Sequence, residues 1–304
     1  MKQIAHKNLT WIDIEQPTEK DVEFLKKNFH FHPVVLAEVI PPSRRSKVEH
    51  YDHFLFMVLH IPVFNPVKRT TVPAELDIFV TKTHLITVHY GYLPPLDGFL
   101  KKCGANAALK EKYFSEGAGA LLYHLVEQIF NFYHPQLSYV NKNIDVIEEQ
   151  IFKGREKAMI HQISLAKREI LDFRRIIRPQ HSILESLLRK GPKFFGAEMA
   201  IYFSDLIGDF DRIFNTLDHY KETIESLEHT NESLVSNKLN EMMRLLTIFS
   251  TILLPLSFIT QIFNMTMTAT VDFLNTPMMF WLINIFILFV GIFMYAFFKL
   301  KKWL

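Results

Sequence analysis

Asn240, Met243, Thr247, Ser250, Leu254, Ser257, Gln261 and Asn264 follow one another in alternating steps of three and four, the repeat that keeps residues on one side of a helix. Most of this stripe lies in residues 245–271, an uncharged run long enough to cross a hydrocarbon core of about 30 Å. Hydroxyl and amide groups at that depth are driven toward other helices or toward water. Two kinds of chemistry are open to such a stripe. Small polar residues can let two helices approach closely, or a ring of identical helices can surround an aqueous path with Met243 and Leu254 as apolar constrictions. Leu246, next to Thr247, can share the constricting position. Pro255 inside the run kinks the helix or frees a carbonyl, which membrane helices tolerate where neighbours or water satisfy the group.

The elements that would position this stripe can be read outward from it. A loop with one charge, Asp272, leads to a second apolar run over 278–298, closed by Lys299, Lys301 and Lys302. Basic residues stay on the cytoplasmic side, so this helical hairpin predicts both termini inside. Upstream, no proline occurs between Gly196 and Pro255, and one helix can run uninterrupted from about Gly196 into the membrane. At 1.5 Å per residue it would be a rod on the order of 90 Å, a length that calls for partner helices.

The first half reads as mixed α and β. Residues 9–14 suit a strand, Pro17-Thr18-Glu19 opens a helix with Val22, Leu25 and Phe29 at helical spacing, and Pro33 starts another through Ile40. Residues 53–63, 74–81 and 84–90 are rich in Phe, Val, Ile and Thr and read as strands. Long helices follow over 118–153 and 156–190, the second broken by Gly191-Pro192. The expected fold is an α+β cytoplasmic domain of αβα-type layers with a long stalk helix and a two-helix C-terminal membrane hairpin. Its parts are the domain at 1–195, the stalk at 196–244, a first membrane helix at 245–266, an external loop at 267–277, a second membrane helix at 278–298 and a basic tail at 299–304.

Composition narrows the function further. The 304 residues hold 34 Lys+Arg and 32 Asp+Glu, a balance that gives no bulk attraction to nucleic acid. Arg44, Arg45 and Lys47 read as an ordinary basic loop. Charge is uneven locally: residues 153–193 carry eleven Lys/Arg against four Asp/Glu, and 194–241 carry ten acids against three bases. This predicts either two helices with complementary surfaces or an acidic helix that gathers cations. Cys103 is the single cysteine, so no intramolecular disulfide is expected. His6 and Lys7 interrupt the start, and no secretion signal is expected there. No phosphate-cradling loop, HExxH or nucleophile elbow is found, and an enzyme is not expected. The pairs His30 with His32, His50 with His53 and His84 with His89 lack partner cysteines and read as packing or surface residues rather than a zinc site.

Residues 236–263 (SNKLNEMMRLLTIFSTILLPLSFITQIF), the terminal KLKKWL, and upstream LTWIDIEQPTEKD, FHFHPVVLAEVI and KVEHYDHFLFMVLHIP together resemble the CorA family of divalent metal-ion transporters. The resemblance spans nearly the whole chain in the family's order and spacing. It implies a homopentamer in the inner (plasma) membrane, with divalent cations as transported and regulatory ions and no permanently bound cofactor. Asn240, Met243, Leu246, Leu254 and Ser257 match the family's pore-facing positions, and Asp272 matches an acidic position in its external loop. Asp205, in the stretch YFSD, resembles an aspartate that helps bind a regulatory metal between subunits. The partner carboxylate has no clear match: Pro94 falls near its place and Asp97 is the nearby acid.

One departure is pronounced. Where the family carries Gly-Met-Asn at the outer end of the first membrane helix, this chain has Asn264-Met265-Thr266, and Gln261 replaces a glycine before it. In the family that loop contacts the water shell of a cation, and magnesium sheds water reluctantly. Asn264 backed by Gln261 one turn below can form a substitute ring with a different ion preference, zinc included. The other outcome is a non-conducting membrane metal sensor or scaffold that keeps the fold.

Overall fold

The β-dense segments assemble into one sheet, and their alternation gives it two buried faces. A computed structural model describes residues 1–43, 45–65, 70–268 and 277–301, without the side chains of 263–268, 277 and 279. The strands are β1 (Lys2–His6), β2 (Leu9–Glu15), β3 (Lys47–His50), β4 (Leu55–Asn65), β5 (Thr70–Val80) and β6 (His84–His89), in the order β1-β2-β6-β5-β4-β3. Neighbours are antiparallel except β2 and β6, which run parallel from Thr10 opposite His84 to Glu15 opposite His89. β1 and β3 were not legible as strands. Each is short and polar and pairs on one side only, so it carries little of the alternation that marks a half-buried strand.

Successive side chains on a strand point to opposite faces. Ile12, Ile14, Phe56, Val58, Phe79, Ile86 and Val88 form a core with Leu25 of α1 (Glu19–Phe29), Phe31, and Val35 and Leu36 of α2 (Pro33–Leu36). The intervening Trp11, Leu55, Met57, Leu59, Ile78, Val80 and Leu85 are also buried. Against the sheet pack α5 (Ala118–Phe152), α6 (Glu156–Ile177) and α7 (Gln180–Phe195). Each fully buried side chain of this kind contributes about 1.5–3 kcal/mol, which makes both faces necessary to the fold. The result is the expected layering of helix, sheet and helix.

Local chemistry sets the helix ends, and in two places it moves them from where the sequence pointed. The Thr18 amide donates to Asp21 Oδ2 at 2.9 Å and starts α1. The helix from Pro33 stops as regular α at Leu36 instead of Ile40, because Glu38 and Val39 bond the carbonyls of Val35 and Leu36, three residues back, and tighten the turn. Gly191-Pro192 does not break a helix. The break falls at Arg178-Pro179, and α7 runs through to Phe195. Gly191 serves close approach instead: a Cβ there would sit 2.3 Å from a ring carbon of Phe203. Two helices absent from the sequence reading, α3 (Pro94–Ala105) and α4 (Ala107–Phe114), follow the sheet.

The chain divides into two units, Met1–Glu228 and His229–Leu304. α8 is a single 70-residue helix, Met199–Thr268, and α9 spans Pro277–Leu300.

Candidate ion pathway and regulatory aspartate

Among the described residues, α8, which runs from the first unit into the second, and α9 are long and apolar enough to cross a membrane, over residues 199–262 and 280–300. Their contact is made by one side of α8. Ile248 is buried at 3% exposure, Ile252, Pro255, Leu256 and Ile259 are half-buried, and Phe298 on α9 is buried at 8%. Gly291 of α9 faces Leu256, whose Cδ1 would lie 3.6 Å from a Cβ at that position, an ordinary packing distance. A cavity of about 500 Å³ opens beside this contact, lined by Ile252, Leu256, Asn284, Gly291 and Tyr295 among others.

The polar stripe lies on the other side of α8. At 100° per residue the stripe is centred roughly 160° around the helix from the α9 contact. Asn240, Met243, Leu246, Thr247, Ser250, Leu254, Ser257 and Gln261 are all exposed, with Met243 at 61%, Leu246 at 60% and Leu254 at 69%. The second helix therefore covers none of them. Thr247 donates its hydroxyl hydrogen to the Met243 carbonyl at 2.8 Å, and Thr251 and Thr260 do the same to Thr247 and Leu256 at 2.7 Å. A hydroxyl bonded back into its own helix presents oxygen lone pairs outward, which suits contact with a cation or its water. Pro255 has no amide hydrogen, so the Thr251 carbonyl loses its helical donor. The side chains of Asn264, Met265 and Thr266, and Asp272 altogether, lie outside the described residues, as does Arg44.

In the first unit Asp205 sits exposed on α8, where it accepts a hydrogen bond from Tyr123 Oη of α5 at 2.8 Å. Burial raises the Tyr123 hydroxyl's pKa, and the bond to Asp205 with the charges of Glu127 and Asp209 raises it further. Tyr123 thus holds its proton and fixes one carboxylate oxygen while the other stays available. Tyr202, edge-on to Tyr123 at 5.1 Å, donates to Glu116 at 3.3 Å. Tyr123 gave no signal in the sequence, since only the packing of α5 on α8 makes it Asp205's partner. Asp97 is already engaged: Lys101 Nζ lies 2.7 Å and Lys2 Nζ 3.5 Å away, and the lysine bond holds its carboxyl below the usual range.

The basic and acidic blocks face each other. Lys167 pairs with Glu228 at 2.5 Å, Arg174 with Asp218 at 2.5 Å, and His181 with Asp211 at 3.5 Å. Arg174 also lies over the Phe214 ring at 5.3 Å. Of the two readings of this asymmetry, complementary helix surfaces account for these acids. The histidine pairs are used locally. His32 Nδ1 accepts from the Val34 amide, His53 meets the His30 carbonyl, and His89 bonds the Gly91 carbonyl at 2.6 Å. Among the described residues, no three His, Cys, Asp or Glu side chains gather to hold a metal.

The chain as a whole is similar to known proteins. The family described as "CorA-like Mg2+ transporter protein" matches residues 6–301. The chain is 28% identical over 301 residues to the "Cobalt/magnesium transport protein CorA" of Thermotoga maritima, covering 97% of this chain and 83% of that one. It is 25% identical over 242 residues to the "Divalent cation transporter CmaX" of Pseudomonas aeruginosa, covering 79% and 70%. The complete structure of the CorA magnesium transporter from Methanocaldococcus jannaschii superposes with a TM-score of 0.83 at 22% identity, covering 100% of this chain and 95% of that chain.

Proposed function

The chain belongs to the CorA-like Mg2+ transporter family, and we propose that it carries divalent cations through a homopentamer whose path is lined by the α8 stripe. One observation supports this reading above the rest: Asn240, Met243, Leu246, Thr247, Ser250, Leu254, Ser257 and Gln261 stay exposed on the side of α8 opposite its contact with α9. Polar groups left free at membrane depth need other helices or water, and five copies turned inward supply both. Met243, Leu246 and Leu254 would form the narrow apolar rings, with Thr247, Ser250 and Ser257 between them. Gln261 and Asn264 would form the outer ring of neutral oxygen donors, with Met265, Thr266 and Asp272 at the mouth. The Lys299, Lys301 and Lys302 tail supports an orientation in the inner (plasma) membrane with both termini cytoplasmic.

Passage is passive in this proposal. The membrane potential supplies about 2.3 kcal/mol per charge per 100 mV, so a divalent cation gains about twice that. Cytoplasmic metal bound at Asp205 would bridge neighbouring subunits and close the path. With a mouth of Asn264-Met265-Thr266, the donors at that ring set the preferred ion, and zinc and cobalt are the competitors of magnesium to measure. The same departure favours a second reading, a non-conducting metal sensor or scaffold that retains the pentamer.

Cation flux into proteoliposomes under an imposed potential, with Mg2+, Co2+ and Zn2+ in competition, separates the readings. Uptake that falls roughly tenfold in Gln261→Ala and Asn264→Ala, a loss of about 1.4 kcal/mol at the barrier, is the expected result. Unchanged uptake in both variants removes the ring, and absent uptake in the parent leaves the sensor.

A further inference from the structure

A cavity of about 1200 Å³ opens in the first unit, with Ser43, Ser46, His60, Glu75, Tyr90 and Arg175 in its lining. Behind Glu75 and Tyr90, Asp77 of β5 is fully buried at 0% exposure. Tyr90 Oη lies 2.7 Å from Asp77 Oδ2 and 2.8 Å from the Val39 carbonyl oxygen. These three oxygens pose a question of hydrogens. A phenol carries one, and a carbonyl can only accept. If Tyr90 gives its hydrogen to Asp77, the Val39 oxygen faces the phenol oxygen with nothing between them. If Tyr90 gives it to Val39, the contact with Asp77 needs a hydrogen on the carboxyl. Only the second arrangement satisfies both contacts.

We propose that Asp77 is a proton-binding site of the native protein, its Oδ2–H donating to Tyr90 Oη while Tyr90 donates to Val39, so that one bound proton ties β5 and the residue after β6 to the turn that leads into the cavity rim at Pro41 and Pro42. The surroundings favour the neutral acid. Burial pushes the Asp77 carboxyl up to about 8; a bond donated by Tyr90 would work against this, while the charge of Glu75, hydrogen bonding between the Glu75 and Asp77 carboxyls and the charge of Glu38 add to it. Asp77 Oδ1 is buried with no hydrogen-bond partner within 3.5 Å, a costly position for an ionised oxygen.

The neighbouring charges are committed elsewhere. On β5, Glu75 accepts from the Ser43 amide at 2.6 Å and faces His60 Nε2 of β4 at 3.3 Å. His60 Nδ1 meets Ser46 Oγ at 2.7 Å, and Gln180 of α7 holds the His60 carbonyl. Lys47 of β3 is bound to Glu38 at 2.8 Å and Glu49 at 3.0 Å. Arg175 of α6 pairs with Asp172 at 2.7 Å, and Arg45 is in the lining of the cavity.

The sign follows from linkage. The native state keeps a proton that the unfolded chain gives up above the ordinary aspartate value of 3.8, so the tie holds at low and neutral pH and is lost as pH rises through about 8. Loss of the proton puts a third negative charge beside Glu75 and Glu38 and leaves Tyr90 able to satisfy only one of its two contacts.

The test uses the full-length protein in lipid nanodiscs, followed by infrared spectroscopy for a protonated carboxyl and by amide hydrogen exchange in residues 37–43, corrected for intrinsic rates, across roughly pH 6 to 10. In the parent, the carboxyl band should disappear with a midpoint near 8, and protection of 37–43 should fall about tenfold in the same range, a change of about 1.4 kcal/mol. Asp77→Asn keeps a donor to Tyr90, and its protection should stay high and independent of pH. Tyr90→Phe should keep the titrating carboxyl and lose the protection at every pH. Glu75→Gln should lower the midpoint, because it removes a neighbouring negative charge. A parent without a carboxyl titrating in that range, an Asp77→Asn variant with the parent's pH dependence, or an unmoved midpoint in Glu75→Gln would each overturn the proposal.

Discussion

Phe79 and Phe289 are the same side chain in opposite circumstances. In the first unit Phe79 is fully buried, stacked on Phe31 at 4.7 Å and tilted against Phe56 at 4.6 Å. In the second, Phe289 on α9 is 65% exposed, and Phe258 on α8 likewise. The first unit completes its core within one chain, with a sheet covered on both faces. Among its described residues, the second has one narrow contact between two apolar helices. Its remaining surface is apolar along most sides and polar along one stripe, which is what a segment needs if lipid and further copies of the chain are to finish the job.

The sharpest way to break this contrast is to remove the two rings. Phe79→Ala should destabilise the first unit by about 3–5 kcal/mol, whereas Phe289→Ala should change its thermal unfolding by no more than about 0.5 kcal/mol. Comparable losses in detergent-solubilised protein would mean that the two units share one core. A smaller effect is expected from Gly191→Ala, since the added methyl must displace the Phe203 ring from 2.3 Å. Overpacking of this kind costs about 1–3 kcal/mol. A denaturation midpoint equal to the parent's would show that α7 and α8 can separate freely at this point.

The smallest expected effect is a slope with pH. Burial lowers the basicity of His89, but the Asp13 carboxylate at 3.5 Å and the Gly91 carbonyl outweigh it, and the net shift is upward. A raised histidine contributes stability fully below its ordinary value of 6.5 and loses it as pH rises through its native value. His89→Gln should therefore flatten the decline in stability that sets in above pH 6.5 while leaving cation uptake unchanged. Equal slopes in the two proteins, measured by chemical denaturation, would assign the decline to other groups.

Much of the fold was legible because it is written in short-range periodicity. The strands read over 53–63 and 84–90, the helix over 118–153 and the run from about Gly196 through the membrane segment come from patterns within one element. The observed bounds of 55–65, 84–89 and 118–152, and the start of α8 at Met199, lie within three residues of them. β1 and β3 lacked such a pattern. The role of Gly191 was misread because glycine beside proline usually interrupts a helix, and nothing local reports that Phe203 will pack onto it. The candidate pathway divides the same way. The helical repeat alone places Asn240 through Gln261 on one side of α8, yet it does not say which side α9 takes.

The sequence by itself determined the two apolar segments, the polar stripe between steps of three and four, and the family, because each depends on residues close together or on a pattern carried along the chain. Tertiary structure decided the parallel pairing of β2 with β6, the meeting of Tyr123 with Asp205, and the contact of Tyr90 with both Asp77 and Val39. Those depend on register and on close approach between elements. Such distances are set by the packing of the whole core, and no local spacing contains them.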